Sequence, residues 1–155
     1  MNFNIQKFID KEYQTEDRVS RRKGSGSTQE FFTPFFIVDR MCAKVSPEEW
    51  ADPDKTFLEP SFGNGNFLVY IIYKRISSGL TWQQALTTLY GVELMEDNVQ
   101  ETKERICELL DKMDVKYDKA EAMSIMDKNL VCSDFFKWDF ENWKPINSST
   151  EDPLF

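Results

Sequence analysis

The stretch Thr56-Phe57-Leu58-Glu59-Pro60-Ser61-Phe62-Gly63-Asn64-Gly65-Asn66-Phe67 decides how the chain is read. A short apolar run, residues 56–58, enters a turn, residues 59–66, and an apolar helix then runs from Phe67 to Ile76 until Ser77-Ser78-Gly79 ends it. That order is strand, glycine loop, helix. It recurs downstream. Thr81 and Gln84 form a capping box for a helix to about Thr88, and Leu89-Tyr90-Gly91-Val92-Glu93-Leu94 is a short strand-like run. Asp97 is placed to cap a long helix whose Val99, Ile106, Leu109, Leu110 and Met113 share a face. A helix near 119–127 leads into Leu130-Val131-Cys132-Ser133, a third buried strand. Strands separated by helices specify a parallel sheet, because a parallel connection needs a crossover. The expected class is α/β, Rossmann-like, with a partial parallel sheet flanked by helices.

Upstream of this unit, Thr33-Pro34 reads as a helix start, with the Thr hydroxyl as cap and Pro in the first turn. Val38, Met41, Cys42 and Val45 follow as one apolar stripe. Ser46-Pro47-Glu48-Glu49 repeats the capping logic for a short helix that Asp52-Pro53-Asp54 stops. Most of the aromatic stripe formed by Phe31, Phe32, Phe35 and Phe36 is expected to pack in the core. Residues 1–27 hold six basic and four acidic side chains in a chain whose net charge is −8, and RVSRRKGSGS reads as a linker. The expected division is a flexible basic arm at 1–27, a folded domain at 28–140 and a polar, turn-rich tail at 141–155.

Composition removes several classes of function. The 155 residues, 41% hydrophobic, suit one core, and no apolar run nears the roughly 18 residues of a membrane span. The first residues carry no basic segment followed by an apolar one, so a cytoplasmic location is expected, the host cytoplasm if a phage encodes the chain. There is no histidine, and the three cysteines lie far apart. Thiolate–imidazole zinc sites, His general bases and Ser/Cys–His nucleophile pairs are therefore not expected, and no metal site is assigned. The acidic balance argues against a surface that is wholly a nucleic-acid footprint.

In an open α/β sheet, ligands sit beyond the carboxyl ends of the strands. The first strand delivers Glu59 and the Gly63-Asn64-Gly65 turn, whose missing side chains let backbone N–H groups approach a ligand at a helix N-terminus. The second ends in Glu93, suited to a ribose diol, and the third in Asp134-Phe135, an amine acceptor beside a stacking ring. Almost no basic residue accompanies them, and Leu68 stands where a dinucleotide site wants a third glycine. These acceptors suit a cationic, phosphate-free nucleoside, and S-adenosyl-L-methionine (AdoMet) matches that description.

The same segments carry a family resemblance. TQEFFTPFFIVDRM (28–41) resembles motif X of the adenine-N6 DNA methyltransferases, in the circular order where that motif comes first. FLEPSFGNGNFL (57–68) resembles motif I, LYGVELMEDNV (89–99) motif II, and NLVCSDFFKWDF (129–140) motif III. The resemblance implies that Phe31, Thr33 and Pro34 wall the methionine moiety. It implies that Glu59, Pro60, Gly63 and Gly65 surround its carboxylate and amine, that Glu93 takes the ribose hydroxyls and Leu94 the adenine, and that Asp134 and Phe135 bind the adenine amine and ring. The family's catalytic motif, D/N/S-P-P-Y/F/W, is approximated by Asp152-Pro153-Leu154-Phe155, with Leu154 in place of the second proline. Asp152, Pro153 and Phe155 would then meet a flipped adenine. The remaining strands and the DNA-reading domain of such an enzyme have no counterpart. Two readings result: an AdoMet-dependent DNA adenine-N6 methyltransferase-like chain that needs a partner, or a non-catalytic AdoMet-binding module, of phage type, acting on a restriction–modification partner. DNA would be reached through a partner subunit or the basic arm. The open sheet edge left by the missing strands leads to the expectation of a homo- or hetero-oligomer.

Overall fold

The computed structural model describes residues 3–11 and 33–147. Its elements are α1 (Ile5–Asp10), α2 (Phe35–Cys42), α3 (Pro47–Ala51), β1 (Phe57–Glu59), α4 (Asn66–Ser77), α5 (Trp82–Thr87), β2 (Leu89–Glu93), α6 (Glu96–Lys112), α7 (Lys119–Asn129) and β3 (Leu130–Cys132). A 3-10 turn (Phe135–Lys137) and a ribbon of β4 (Trp138–Asp139) and β5 (Lys144–Pro145) follow.

Local sequence explains most of the helix starts. Both capping boxes form: Ser46 with Glu49 at the head of α3, and Thr81 with Gln84 at the head of α5. Two expected caps are displaced. Pro34 itself is the N-cap of α2 and its side chain makes no capping bond, so the Thr33 hydroxyl lies one residue too early. The long helix α6 begins at Glu96 with Met95 as N-cap, leaving Asp97 in the first turn, where its charge still complements the helix dipole. Of the expected α2 stripe, Val38 and Cys42 are buried, whereas Met41 is 55% exposed. Phe35 packs on Tyr70 at 6.0 Å between ring centroids, but Phe36 points outward.

The two ends of the chain differ from their expected character. The arm assigned to 1–27 begins as helix α1, capped by Asn4, with Ile9 wholly buried and Phe3 and Phe8 packed against the core. Its basic linker, 18–27, lies outside the described residues. The tail assigned to 141–155 begins as the second half of the β4–β5 ribbon, held on the sheet by Trp143, whose ring meets Tyr90 at 4.8 Å and whose Nε1 donates to the Lys128 carbonyl. Aromatic residues hidden in a polar composition supply the contact that the hydropathy pattern missed.

The three main strands form one parallel sheet in the order β1-β2-β3, with Phe57 opposite Leu89, and Gly91 opposite Leu130. Both crossovers step in the same direction, so the right-handed rule puts them on one face. Helices α4, α5, α6 and α7 accordingly pack on one another as a single layer. Phe57, Leu89, Gly91 and Leu130 share the helix-side face, and Phe57 stacks on Trp50 of α3 at 5.3 Å. Leu58, Tyr90, Val92 and Val131 share the other face, which the ribbon meets at Tyr90.

Glycines 65 and 91 mark where packing leaves no room. Any side chain at Gly91 would meet the Phe62 ring at 2.6 Å, so the loop after β1 folds over β2 only because position 91 is bare. Gly65 has φ +87°, and a Cβ there would lie 2.5 Å from Cγ2 of Thr102 on α6. A Gly65→Ala substitution combines a left-handed backbone penalty with a clash, so we expect a loss of roughly 2–4 kcal/mol in urea unfolding. Adding Thr102→Ala should recover the clash part alone; full recovery would show that the backbone angle costs nothing.

Candidate functional site

The carboxyl ends of β1, β2 and β3 lie along one edge of the sheet, which places Glu59, Glu93 and the Ser133-Asp134 step in sequence along it. Backbone bonds tie these ends together: Phe62 N–H donates to the Val92 carbonyl at 3.2 Å and Ser133 N–H to the Glu93 carbonyl at 3.0 Å.

Glu93 is buried, 6% exposed, and its carboxylate is engaged on both oxygens. Oε2 accepts a short hydrogen bond from Gly63 N–H, and Oε1 accepts from Leu94 N–H at 2.9 Å and Met95 N–H at 3.3 Å. An ionised carboxylate offers about four acceptor positions. Three are used to hold the glycine loop and the start of α6, so the carboxylate is committed to the backbone rather than open to the pair of ribose hydroxyls the sequence suggested.

Glu59 is half-buried, and its Oε1 accepts from Ser61 N–H at 3.2 Å. Burial pushes its carboxyl above the usual 4.5, the Ser61 N–H pulls it back, and the negative charge of Glu93 pushes it further up. The two acids are thus electrostatic neighbours.

Beside Glu59 lies a cavity of about 110 Å³ whose wall is made by Thr33, Ser61, Phe62, Gly63, Asn64, Asn66 and Phe67. Among the described residues no Lys or Arg contributes to it. The lining unites two segments far apart in sequence: the entry to α2, and the run from the end of β1 to the first turn of α4. Of the residues assigned from sequence, Thr33, Glu59 and Gly63 line this cavity, and Glu93 holds Gly63 in place. Gly65 serves a different end from the one expected: its missing side chain makes room for Thr102 rather than for a ligand. Pro34 and Pro60 flank the cavity in sequence without lining it.

Leu94, Asp134 and Phe135 continue along the edge outside the cavity. Leu94 is 58% exposed, directly after Glu93. Asp134 caps the 3-10 turn, with Oδ1 accepting from Phe136 N–H at 2.9 Å, and Phe135 is one ring of an aromatic group with Phe136 and Phe140. Phe31, Asp152, Pro153 and Phe155 lie outside the described residues.

Sequence reasoning missed the polar floor beneath the loop. Asn64, Asn66, Thr102 and Arg105 are all buried there. Arg105 Nη1 donates to the Asn64 carbonyl at 2.6 Å and to Asn66 Oδ1 at 2.9 Å. The available signal was Asn98, Thr102 and Arg105 at i, i+4 and i+7 on a helix with a buried face, a polar stripe where an apolar one is usual.

The cysteines are free thiols in acidic surroundings. Burial, with Asp39 and Glu59 nearby, pushes Cys42 up to about 11, and desolvation with Glu96 does the same to Cys132. Neither is a thiolate at neutral pH. Among the described residues no cluster of three or more potential ligands could hold a metal, and no helix is long and apolar enough to cross a membrane. Comparison with protein-family models, with curated proteins and with solved structures found no match.

The raised carboxyl of Glu59 has a sign that can be checked. Folding favours its protonated form, so its contribution to stability is present at low pH and is lost as pH rises from 4.5 through the elevated value. We expect Glu59→Gln to flatten this part of the pH–stability curve and to be more stable than the wild type at pH ~7. Urea titrations at a series of pH values measure it; a Gln variant that is less stable at neutral pH would contradict it.

Proposed function

We propose that the chain binds AdoMet at the carboxyl edge of its sheet, as the cofactor-binding half of an adenine-N6 DNA methyltransferase-like unit completed by a partner chain. The observation that carries this reading is the acidic, phosphate-averse cleft: Glu59 lines the cavity, Glu93 stands beside it, and no cation among the described residues shares the lining. A nucleotide phosphate would meet repulsion there, whereas a ligand with an ammonium and a sulfonium would be held. The residues fit such a ligand. Glu59 faces its positive end, Glu93 holds the Gly63 backbone in place beside it, and exposed Leu94 offers an apolar surface to the adenine. Asp134 and Phe135 stand one strand further along for the adenine amine and ring. Bound there, the ligand supplies a transferable methyl on sulfur; the protein's part is to bind and orient it. On the family resemblance, Asp152 accepts a hydrogen bond from the target amine and Phe155 stacks on the base.

The need for a partner rests on β1. It is an edge strand, and Phe57 N–H pairs toward β2 with the Thr88 carbonyl, so the alternate Leu58 backbone groups point outward. The Leu58 side chain is 48% exposed on the face opposite the helices. A three-stranded sheet whose outer strands, β1 and β3, are both unpaired among the described residues favours, as the second reading, a non-catalytic AdoMet-binding module that acts on its partner. Light scattering is expected to show association at high concentration that Leu58→Lys weakens; a strict monomer would count against edge pairing.

Calorimetry tests the ligand. AdoMet is expected to bind and ATP not, with Glu59→Gln weakening AdoMet by roughly tenfold, as a lost charge-assisted contact of about 1.5 kcal/mol implies. Comparable binding of ATP would overturn the reading. Transfer of labelled methyl to unmethylated DNA, abolished by Asp152→Ala, would establish the enzyme; binding without transfer in the presence of the partner would establish the module.

A further inference from the structure

Asn66 is buried, with 2% of its surface exposed, and its amide is used on both sides. Oδ1 accepts from the Arg105 guanidinium at 2.9 Å, and Nδ2 donates to the Thr33 carbonyl at 2.7 Å. An arginine only donates and a carbonyl only accepts, so one amide orientation alone satisfies both, and neither an ionised carboxylate nor an apolar side chain of similar size does the same. The two partners have different tasks. Arg105, buried on α6, also grips the Asn64 carbonyl at 2.6 Å and so fixes the glycine loop. Thr33 belongs to the segment entering α2, forms the opposite wall of the cavity, and is joined to this loop across 33 residues of sequence by the Asn66 amide. Two residues on, that segment is pinned again where Phe35 N–H donates to Asp10 Oδ1 at 3.2 Å, a bond that lies away from the cavity.

We infer that Asn66 is a positioning residue: its amide latches the Thr33 wall to the glycine loop and so keeps the cavity closed around the amino-acid end of the ligand. This rests on the AdoMet reading of the site. The latch separates holding the ligand from holding the fold, because the Arg105 half of the bridge serves the loop and the Thr33 half serves the wall.

Asn66→Asp divides the two halves. The carboxylate keeps the acceptor for Arg105 and gives it a full charge to pair with, while the donor to Thr33 is lost and the two oxygens repel. The expected result is an unchanged or higher Tm, faster hydrogen exchange of the 33–35 backbone in the ligand-free protein, and an AdoMet dissociation rate raised about tenfold with little change in association. Asn66→Ala, which removes both halves, is expected to lower Tm as well. Failure of the wild-type chain to bind AdoMet would refute the reading of the site and this inference with it. Binding by the wild type with an unaltered release rate in Asn66→Asp would overturn the inference alone, as would a lowered Tm in that variant, which would make the contact structural.

Discussion

A buried carboxylate that accepts three backbone N–H groups governs the geometry of this protein. Glu93 ends β2, yet one of its oxygens holds Gly63, a residue of the loop after β1, and the other holds the first residues leading into α6. A charge excluded from water persists only when its acceptor positions are filled, so the loop has little freedom to move away without exposing an unpaired carboxylate. The loop's other features follow from that attachment. Phe62 settles over bare Gly91, the chain turns through positive φ at Gly63 and Gly65, and Glu59 is left beside a like charge in a partly dry cleft.

Strand β1 has three residues and is bracketed by two buried arginines. Arg75 of α4 donates to the Glu49 and Lys55 carbonyls and to Thr88 Oγ1, fixing the approach to the strand. Arg105 of α6 donates to the Asn64 carbonyl and to Asn66, fixing the exit. A strand this short contributes few ladder hydrogen bonds, and guanidiniums directed at carbonyls set its position where the sheet alone would not. Burial lowers the pKa of Arg75, which shows the electrostatic cost of the arrangement. The same helices that close the core thus shape the cavity wall.

The layering is one-sided. Right-handed crossovers in a β1-β2-β3 order stack every crossover helix against the face of Phe57, Leu89 and Leu130. Leu58 and Tyr90 face away, toward a short ribbon anchored by Trp143. The sheet thus has one face packed by helices and, among the described residues, no strand beyond β1 or β3.

The sequence by itself determined the α/β class, three parallel strands, both capping boxes and the strand-end positions of Glu59, Glu93 and Asp134, because these follow from short-range periodicity and from the rule that parallel strands need crossovers. It also located the glycine loop. Tertiary structure alone decided what each of those residues does. Gly65 looked like room for a ligand and is room for Thr102; Glu93 looked like a free acceptor and is largely filled by Gly63, Leu94 and Met95. The residues unseen in the sequence, Asn64, Asn66 and Arg105, act through partners about 33 to 41 positions away. Local pattern records which face a side chain takes, but a buried donor's partner depends on how the helices pack over the sheet, and that is settled only when the whole core closes.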